Sequence, residues 1–266
     1  MDALDKYFTI ACQAIQLAKS TLLEATGPAP CCLGAVDKGD SDFQTALDVR
    51  IEQQVSSYLR DWFPGHTVVG EELPKSSGDS ELTWYLDPID GTHNLLMGRP
   101  EIAISLALYD GLEPLVAIID LPLREQSFAA YGHDRVRPPR NAFDRQDRRT
   151  LVGIPGEFPR PSHQIRITRL INQTNPPLGL RCSGALAYDL ATMLLGELDA
   201  RVSFSAKSVD VAAGAALLKC AGCIVTNLDG SPFSPWSGDI AASWSPELHR
   251  MLVSHLCTEG DSDGDE

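Results

Sequence analysis

The sequence predicts a mixed fold, α+β or α/β, with two long helices ahead of a block of strands and a second block in which strands and helices alternate. Three observations carry this expectation. Apolar residues recur at helical spacing through the first sixty or so positions. Short strand-like runs bounded by turn residues fill the middle. Beyond about residue 150 the two textures alternate.

In the first block, Leu4, Phe8, Ala11, Ile15, Ala18 and Leu22 predict a helix over 3–25, stopped by Gly27-Pro28. Leu47, Ile51, Val55, Tyr58 and Trp62 predict a second, ending before Pro64-Gly65. Residues 67–70, 82–86, 102–109 and 115–120 read as strands, with Asp110-Gly111 as a turn. Residues 125–131 and 150–154 continue that pattern. Between them lies HDRVRPPRNAFDRQDRR, polar and rich in Arg and Pro, which reads as a loop and the junction between two halves. The expected division is an N-terminal half over 1–147, a C-terminal half over 148–257 and an acidic tail over 258–266. In the second half we expect a helix over 184–196, a strand over 198–204 and a helix starting near Asp210. A strand–turn–strand over 222–234 and a helix over 246–256 follow. The tail is too polar to bury itself and is expected to be disordered.

Charge narrows the function. The 266 residues carry a net charge of −14, and five of the last eight are acidic, which leaves −9 on the rest. Nucleic-acid polymers and anionic membranes call for basic surface, so neither is an expected partner. An acidic body suits divalent cations. The opening MDALDKYFTI is acidic and lacks the basic flank of a signal peptide. No apolar run approaches the roughly 20 residues of a membrane span. The seven cysteines form no framework, which fits a reducing, cytoplasmic setting. Cys220-Ala-Gly-Cys223 is a single pair with no second to complete a zinc site, and reads as small core residues near a helix end.

The acids cluster at strand ends. Val68-Val69-Gly70-Glu71-Glu72 ends one strand in two carboxylates, and WYLDPIDGTHN carries another straight into Asp87 and Asp90. Asp210 opens a later helix and Asp48 sits in an early one. Asp-Pro alone begins many solvated turns. Convergent carboxylates, however, repel unless a cation lies among them, and hard oxygen donors suit Mg2+. Backbone N–H groups after Gly91 suit a phosphate. No G-x-x-x-x-G-K-[ST] loop is present for a nucleoside triphosphate, so hydrolysis of a phosphomonoester is the simpler chemistry.

Asp87-Pro-Ile-Asp-Gly-Thr-His-Asn94 resembles the D-P-[IL]-D-G-T-x-N motif of the inositol monophosphatase family. Gly70-Glu71-Glu72 is similar to its G-E-E, and Val209-Asp210-Val-Ala-Ala-Gly214 to its W-D-x-A-A-G. Asp42-Phe-Gln-Thr45 with Asp48 resembles its D-L-V-T-x-x-D. Arg181-Cys-Ser-Gly184 through Asp199-Ala200, and Gly230-Ser-Pro-Phe233, also match. Order and spacing hold over roughly residues 4–255.

The resemblance implies an α-β-α-β-α layered sandwich of the sugar-phosphatase type and a lithium-sensitive hydrolase using two or three Mg2+ ions. It implies that Glu71, Asp87 and the Ile89 carbonyl hold one ion, and Asp87, Asp90 and Asp210 a second. Glu71, Thr92 and Asp48 would be catalytic, with Thr92 oriented by Asp48 to position water. Gly91 and Thr92 N–H groups would hold phosphate. Asp90, Gly184, Ala185, Leu186, Ser203 and Asp210 would face the substrate, a small phosphorylated metabolite. A homodimer is the implied assembly.

Some positions depart from the pattern. Val209 replaces a packing tryptophan. Ser203 stands where inositol-specific relatives carry a glutamate that holds ring hydroxyls. His93 replaces a common threonine and reads as a helix-start residue, with titration near neutral pH as its functional alternative. Gln44 replaces an apolar residue. Arg135, Arg137 and Arg140 belong either to a solvated hairpin or to a second phosphate contact. Inositol monophosphate is the leading substrate, with histidinol phosphate, fructose bisphosphate and adenosine bisphosphate as alternatives. A binding or regulatory protein on the same fold is the alternative of another class. A calcium module is a third, and the D-x-[DN]-x-[DN]-G loop it needs is missing.

Overall fold

The structure is a computed structural model that describes residues 2–26, 36–39, 42–76, 78–132, 149–156, 158 and 160–257. The Gly27-Pro28 stop, the arginine-rich loop with Arg135, Arg137 and Arg140, the acidic tail and the Gln44 side chain lie outside what it describes.

Helix α1 (Ala3–Ala25) starts at Asp2, whose side chain accepts from the Ala3 N–H. A short hairpin, β1 (Val36–Gly39) and β2 (Asp42–Gln44), leads into α2 (Ala46–Trp62). Five strands follow: β3 (Thr67–Val69), β4 (Leu82–Asp90), β5 (Ala103–Asp110), β6 (Glu113–Leu121) and β7 (Gln126–Tyr131), with the one-turn helix α3 (Thr92–Leu96) after β4. They form one sheet in the order β3-β4-β5-β6-β7, antiparallel except for β3 beside β4. The second half supplies β8 (Leu151–Gly153), α4 (Pro161–Gln173), β9 (Gly179–Arg181), α5 (Leu186–Leu194), β10 (Ala200–Ser203), α6 (Ser208–Cys220), β11 (Ile224–Thr226), β12 (Ile240–Ser243) and α7 (Pro246–Leu256). Its sheet runs β11-β12-β10-β8-β9.

Three cores define five layers. Ile10, Ile15 and Leu22 of α1 and Ile51, Val55 and Leu59 of α2 cover one face of the first sheet, against Trp84, Leu86 and Ile104. Helices α5 and α6 fill the space between the sheets, where Leu190 and Leu217 share a core with Tyr85, Ala107 and Ile119. Helices α4 and α7 close the far face with Ile167, Leu170 and Leu252 against Val202 and Ala241. The expected α-β-α-β-α sandwich is therefore present. The alternation along β4 explains its place: successive side chains face opposite layers, so Trp84 and Leu86 point to α1 and α2 while Tyr85 points to α5 and α6.

Three features differ from the expectation. Strand β4 does not stop at Leu86 but runs on through Pro88 to Asp90. Its register against β5 slips, with Asp87 opposite Ser105 and Asp90 opposite Ala103. Three residues of β4 thus span two of β5. In a regular strand, residues three apart face opposite ways. The extra residue, at a proline with no N–H to pair, turns both aspartates to one side.

The second strand expected within 222–234 is also absent. Thr226 makes one bridge to Pro232, and β11 pairs instead with β12, whose sequence Ile-Ala-Ala-Ser has little strand character of its own. Helix α4 and strands β1, β2 and β9 had no assignment from the sequence. A buried ion pair, Arg201 Nε to Asp189 Oδ2 at 2.8 Å, ties β10 to α5.

Helices α5 and α6 meet at Gly214, where an added Cβ would lie 2.5 Å from Leu190 Cδ1 and 2.7 Å from Leu190 Cβ. The motif glycine is thus a packing requirement. Gly214→Ala should cost about 1–3 kcal/mol by overpacking, lowering the thermal midpoint by about 3–10 °C in a calorimetric scan.

Candidate active site

The two ends of the WYLDPIDGTHN stretch are held by different devices. Gly91 turns the chain at φ 88°, and a Cβ there would meet the Glu101 carbonyl at 2.7 Å. Thr92 then opens α3, with its hydroxyl 2.8 Å from Asp48 Oδ1 and 3.0 Å from the Ile89 carbonyl. One hydroxyl proton serves one acceptor, and the carboxylate is the stronger. Asp48 is fixed by the Thr45 N–H at 3.0 Å and the Thr45 hydroxyl, a capping box at the start of α2. Burial pushes the Asp48 carboxyl up, against the lowering pull of its threonine hydrogen bonds. Asn94 Nδ2 donates to the carbonyls of Glu101 and Ser183, both at 2.8 Å, and so joins this turn to the approach to α5.

Asp90 is the cap of α5. Its Oδ1 accepts from the Leu186 N–H at 3.0 Å and its Oδ2 from the Tyr188 N–H at 2.8 Å. The open N–H groups of a first helical turn, and the positive end of the helix dipole, receive the negative charge. Asp87 Oδ1 accepts from the Ile89 N–H at 3.0 Å. Asp210 sits in the first turn of α6, where its carboxylate accepts from the Lys207 N–H at 3.3 Å. Helix α6 is fastened to β5 by Ser105 Oγ to the Val209 carbonyl at 3.2 Å and Tyr109 Oη to the Ala212 carbonyl at 2.9 Å. Val209 is buried in the middle core, as a replacement for a packing residue should be.

Glu71 depends on a residue that the sequence reading missed. Glu52, on α2 and 1% exposed, accepts from the Glu72 N–H at 2.7 Å and the Leu73 N–H at 3.0 Å. A Cβ on Gly70 would fall 1.9 Å from Glu52 Oε1. Glu52 therefore shapes the Gly-Glu-Glu turn from beneath and requires the glycine. Its signal was a glutamate at a core-facing helix position, next to Ile51 and Val55.

Asp90, Gly184, Ala185, Leu186, Ser203 and Asp210 line one cavity of about 610 Å³, together with His93 and Arg201. All the residues expected to face substrate are thus brought together. Glu71, Asp87, Thr92 and Asp48 do not line it.

Electrostatics separates these acids from ordinary surface carboxylates. Burial raises Asp87 well above the usual range, and the charges of Glu71, Asp90, Asp210 and Asp48 raise it further. Burial lifts Asp210 well above it too, with Glu71 and Asp90 adding to the effect. Burial brings Asp90 up to about 7 against the lowering hydrogen bond from Tyr188. Among the described residues, no three His, Cys, Asp or Glu side chains are close enough together to form a ready-made metal centre. Two of the acids are turned to other partners: Asp90 to the α5 N–H groups, and Glu71 to Lys207 Nζ at 2.8 Å. The donor set nevertheless fits a hard divalent cation. It is all oxygen, and Asp87 and Asp90 are buried with repelling charges that a divalent cation would offset.

Without a cation, the folded chain holds protons on these acids that the unfolded chain releases. Its stability should therefore fall as pH rises from about 4 to about 7 and beyond. Thermal scans in chelator at pH 5.5 and pH 8 should show the lower midpoint at pH 8. Millimolar Mg2+ should remove most of the difference.

Comparison with known proteins agrees with this geometry. The family model described as the inositol monophosphatase family matches residues 3–261. The chain is 34% identical over 239 residues to inositol-1-monophosphatase ImpA of Mycolicibacterium smegmatis, covering 85% of this chain and 84% of that one. It is 30% identical over 261 residues to the fructose-1,6-bisphosphatase/inositol-1-monophosphatase of Aquifex aeolicus, covering 95% and 96%. The crystal structure of extragenic suppressor protein SuhB from Bartonella henselae shares the fold, with a TM-score of 0.80 at 23% identity over 95% of this chain and 98% of that one. The chain belongs to the inositol monophosphatase family of phosphatases.

Proposed function

We propose that this protein hydrolyses a small phosphomonoester with Mg2+, and that inositol monophosphate is its leading substrate. The observation that carries the reading is the set of mutually repelling acids Asp87 and Asp90, both buried, and Asp210, half-buried, with Glu71 beside them and the Thr92–Asp48 pair at the same turn. The family's phosphatases are metal-dependent, which supports the ion. The five described cysteines are all free thiols, in keeping with a reducing, cytoplasmic compartment. No helix among the described residues is long and apolar enough to cross a membrane. A homodimer is the assembly the family resemblance suggests.

Glu71, Asp87, the Ile89 carbonyl, Asp90 and Asp210 would hold two or three Mg2+ ions. Bound there, Mg2+ would lower the pKa of water and offset charge on the leaving oxygen. The protein's own groups then have positioning to do. Thr92 gives its proton to Asp48 Oδ1, so its oxygen lone pairs are left to accept from the attacking water and aim it. The Gly91 and Thr92 N–H groups lie in the first turn of α3, where a helix leaves donors open, and take phosphate oxygens. Gly184, Ala185, Leu186 and Ser203 receive the rest of the substrate in the cavity.

Asp210→Asn is the cleanest test of the ligand set, because an amide oxygen can keep the Lys207 N–H bond while the charge is lost. Phosphate release from inositol monophosphate at saturating Mg2+ should drop on the order of 10²-fold or more. Near wild-type release would remove Asp210 from the site.

Thr92→Ala should lower kcat by about 10²–10⁴-fold with little change in KM. A raised KM at unchanged kcat would make Thr92 a binding residue only.

Ser203 bears on breadth. A carboxylate at that place can bind ring hydroxyls with about 1.5–3 kcal/mol, which the neutral, shorter serine forgoes. Across inositol monophosphate, glycerol phosphate, histidinol phosphate and an adenosine bisphosphate, kcat/KM should differ by less than about 100-fold. A larger preference for inositol monophosphate would show that other contacts restore the selectivity.

A further inference from the structure

Lys207 touches two of the four acids. Its N–H donates to Asp210, and its side chain puts Nζ 2.8 Å from Glu71 Oε1, across a separation of 136 residues in sequence. The two partners differ in exposure: the Lys207 side chain is 50% exposed and that of Glu71 13%. The backbone around the lysine is braced. The Ser205 N–H donates to Asp239 Oδ1 at 3.2 Å, and the Ala206 N–H to the Gly238 carbonyl at 2.5 Å. The main chain is thus fixed, while a long half-exposed stem can rotate its charged head into water.

We propose that Lys207 is a built-in counter-ion of the acidic cluster. Its ammonium holds Glu71 in the metal-free protein and must leave before Glu71 can turn to a divalent cation. This rests on the metal reading of the site given above. Four acids approach one another from β4, α6 and the turn after β3, with Asp87 and Asp90 buried and Asp210 and Glu71 partly so. An ammonium on Glu71, which is more exposed than Asp87 and Asp90, relieves part of the repulsion among them. The same contact competes with the metal, because one Glu71 oxygen is occupied and a positive charge stands beside the site. Lys207 would thereby lower divalent affinity and keep the empty site folded. Both effects are modest, since a partly exposed ion pair is weak.

The test compares wild type, Lys207→Met and Lys207→Arg at pH 8, first in chelator and then titrated with Mg2+ by calorimetry. Lys207→Met, which keeps the stem and removes the charge, should bind Mg2+ about 3–10-fold more tightly. Its metal-free thermal midpoint should fall below that of wild type, and Mg2+ should restore it. Lys207→Arg, which keeps the charge, should behave as wild type in both measurements. Equal or weaker Mg2+ affinity in Lys207→Met, or a metal-free midpoint no lower than wild type, overturns the proposal and leaves the metal reading intact. If neither wild type nor Lys207→Met binds Mg2+, the metal reading fails and the proposal fails with it.

Discussion

Carboxylates taken out of water beside one another repel, and much of this structure is arranged to hold them there. Asp87 and Asp90 face one way only because β4 carries an extra residue against β5. Asp90 is charge-compensated by the N-terminus of α5, and α5 is in turn locked to β10 by the buried Asp189–Arg201 pair. Asp210 is placed by the fastening of α6 to β5 through Ser105 and Tyr109. The turn that carries Glu71 rests on Glu52 of α2 through the Glu72 and Leu73 N–H groups. Three of the acids thus come from the first sheet and its edges and the fourth from α6, while α2 and α5 hold them in place, so one site draws on several layers of the sandwich.

Most of the elements were legible in the sequence, because their signals are local. The helices over 3–25, 46–62 and 246–256 announce themselves by periodicity and by stop or cap residues. The motifs around Asp87, Glu71 and Asp210 were legible for a similar reason: each is a few adjacent residues. What stayed hidden depends on pairing across the chain. The register slip at Pro88 needs β5 for its definition. Strand β12, of Ile-Ala-Ala-Ser, is a strand because β10 and β11 flank it. Glu52 falls in no motif, and its role shows only in the Gly-Glu-Glu turn that rests on it. The Lys207 contact with Glu71 spans 136 residues and leaves no local signal.

The cavity wall says something about what could enter. Gly184, Ala185 and Ser203 are small and uncharged, and the one arginine on the wall has its Nε on Asp189. Recognition would therefore rest on the phosphate end more than on the ring. His163 stacks on Phe204 behind the wall, with ring centroids 4.4 Å apart, so the wall is stiffened from the outer helical layer. Small, uncharged residues at Gly184, Ala185 and Ser203 favour tolerance among small phosphates over tight selection of one.

The central claim is that the acid cluster exists to receive cations. Diffraction from crystals grown with Mn2+, with an anomalous difference map, tests it directly. The account predicts two or three peaks among Glu71, Asp87, Asp90 and Asp210, with Lys207 Nζ withdrawn from Glu71. A map with no peak there, and Lys207 still on Glu71 at saturating Mn2+, would contradict it.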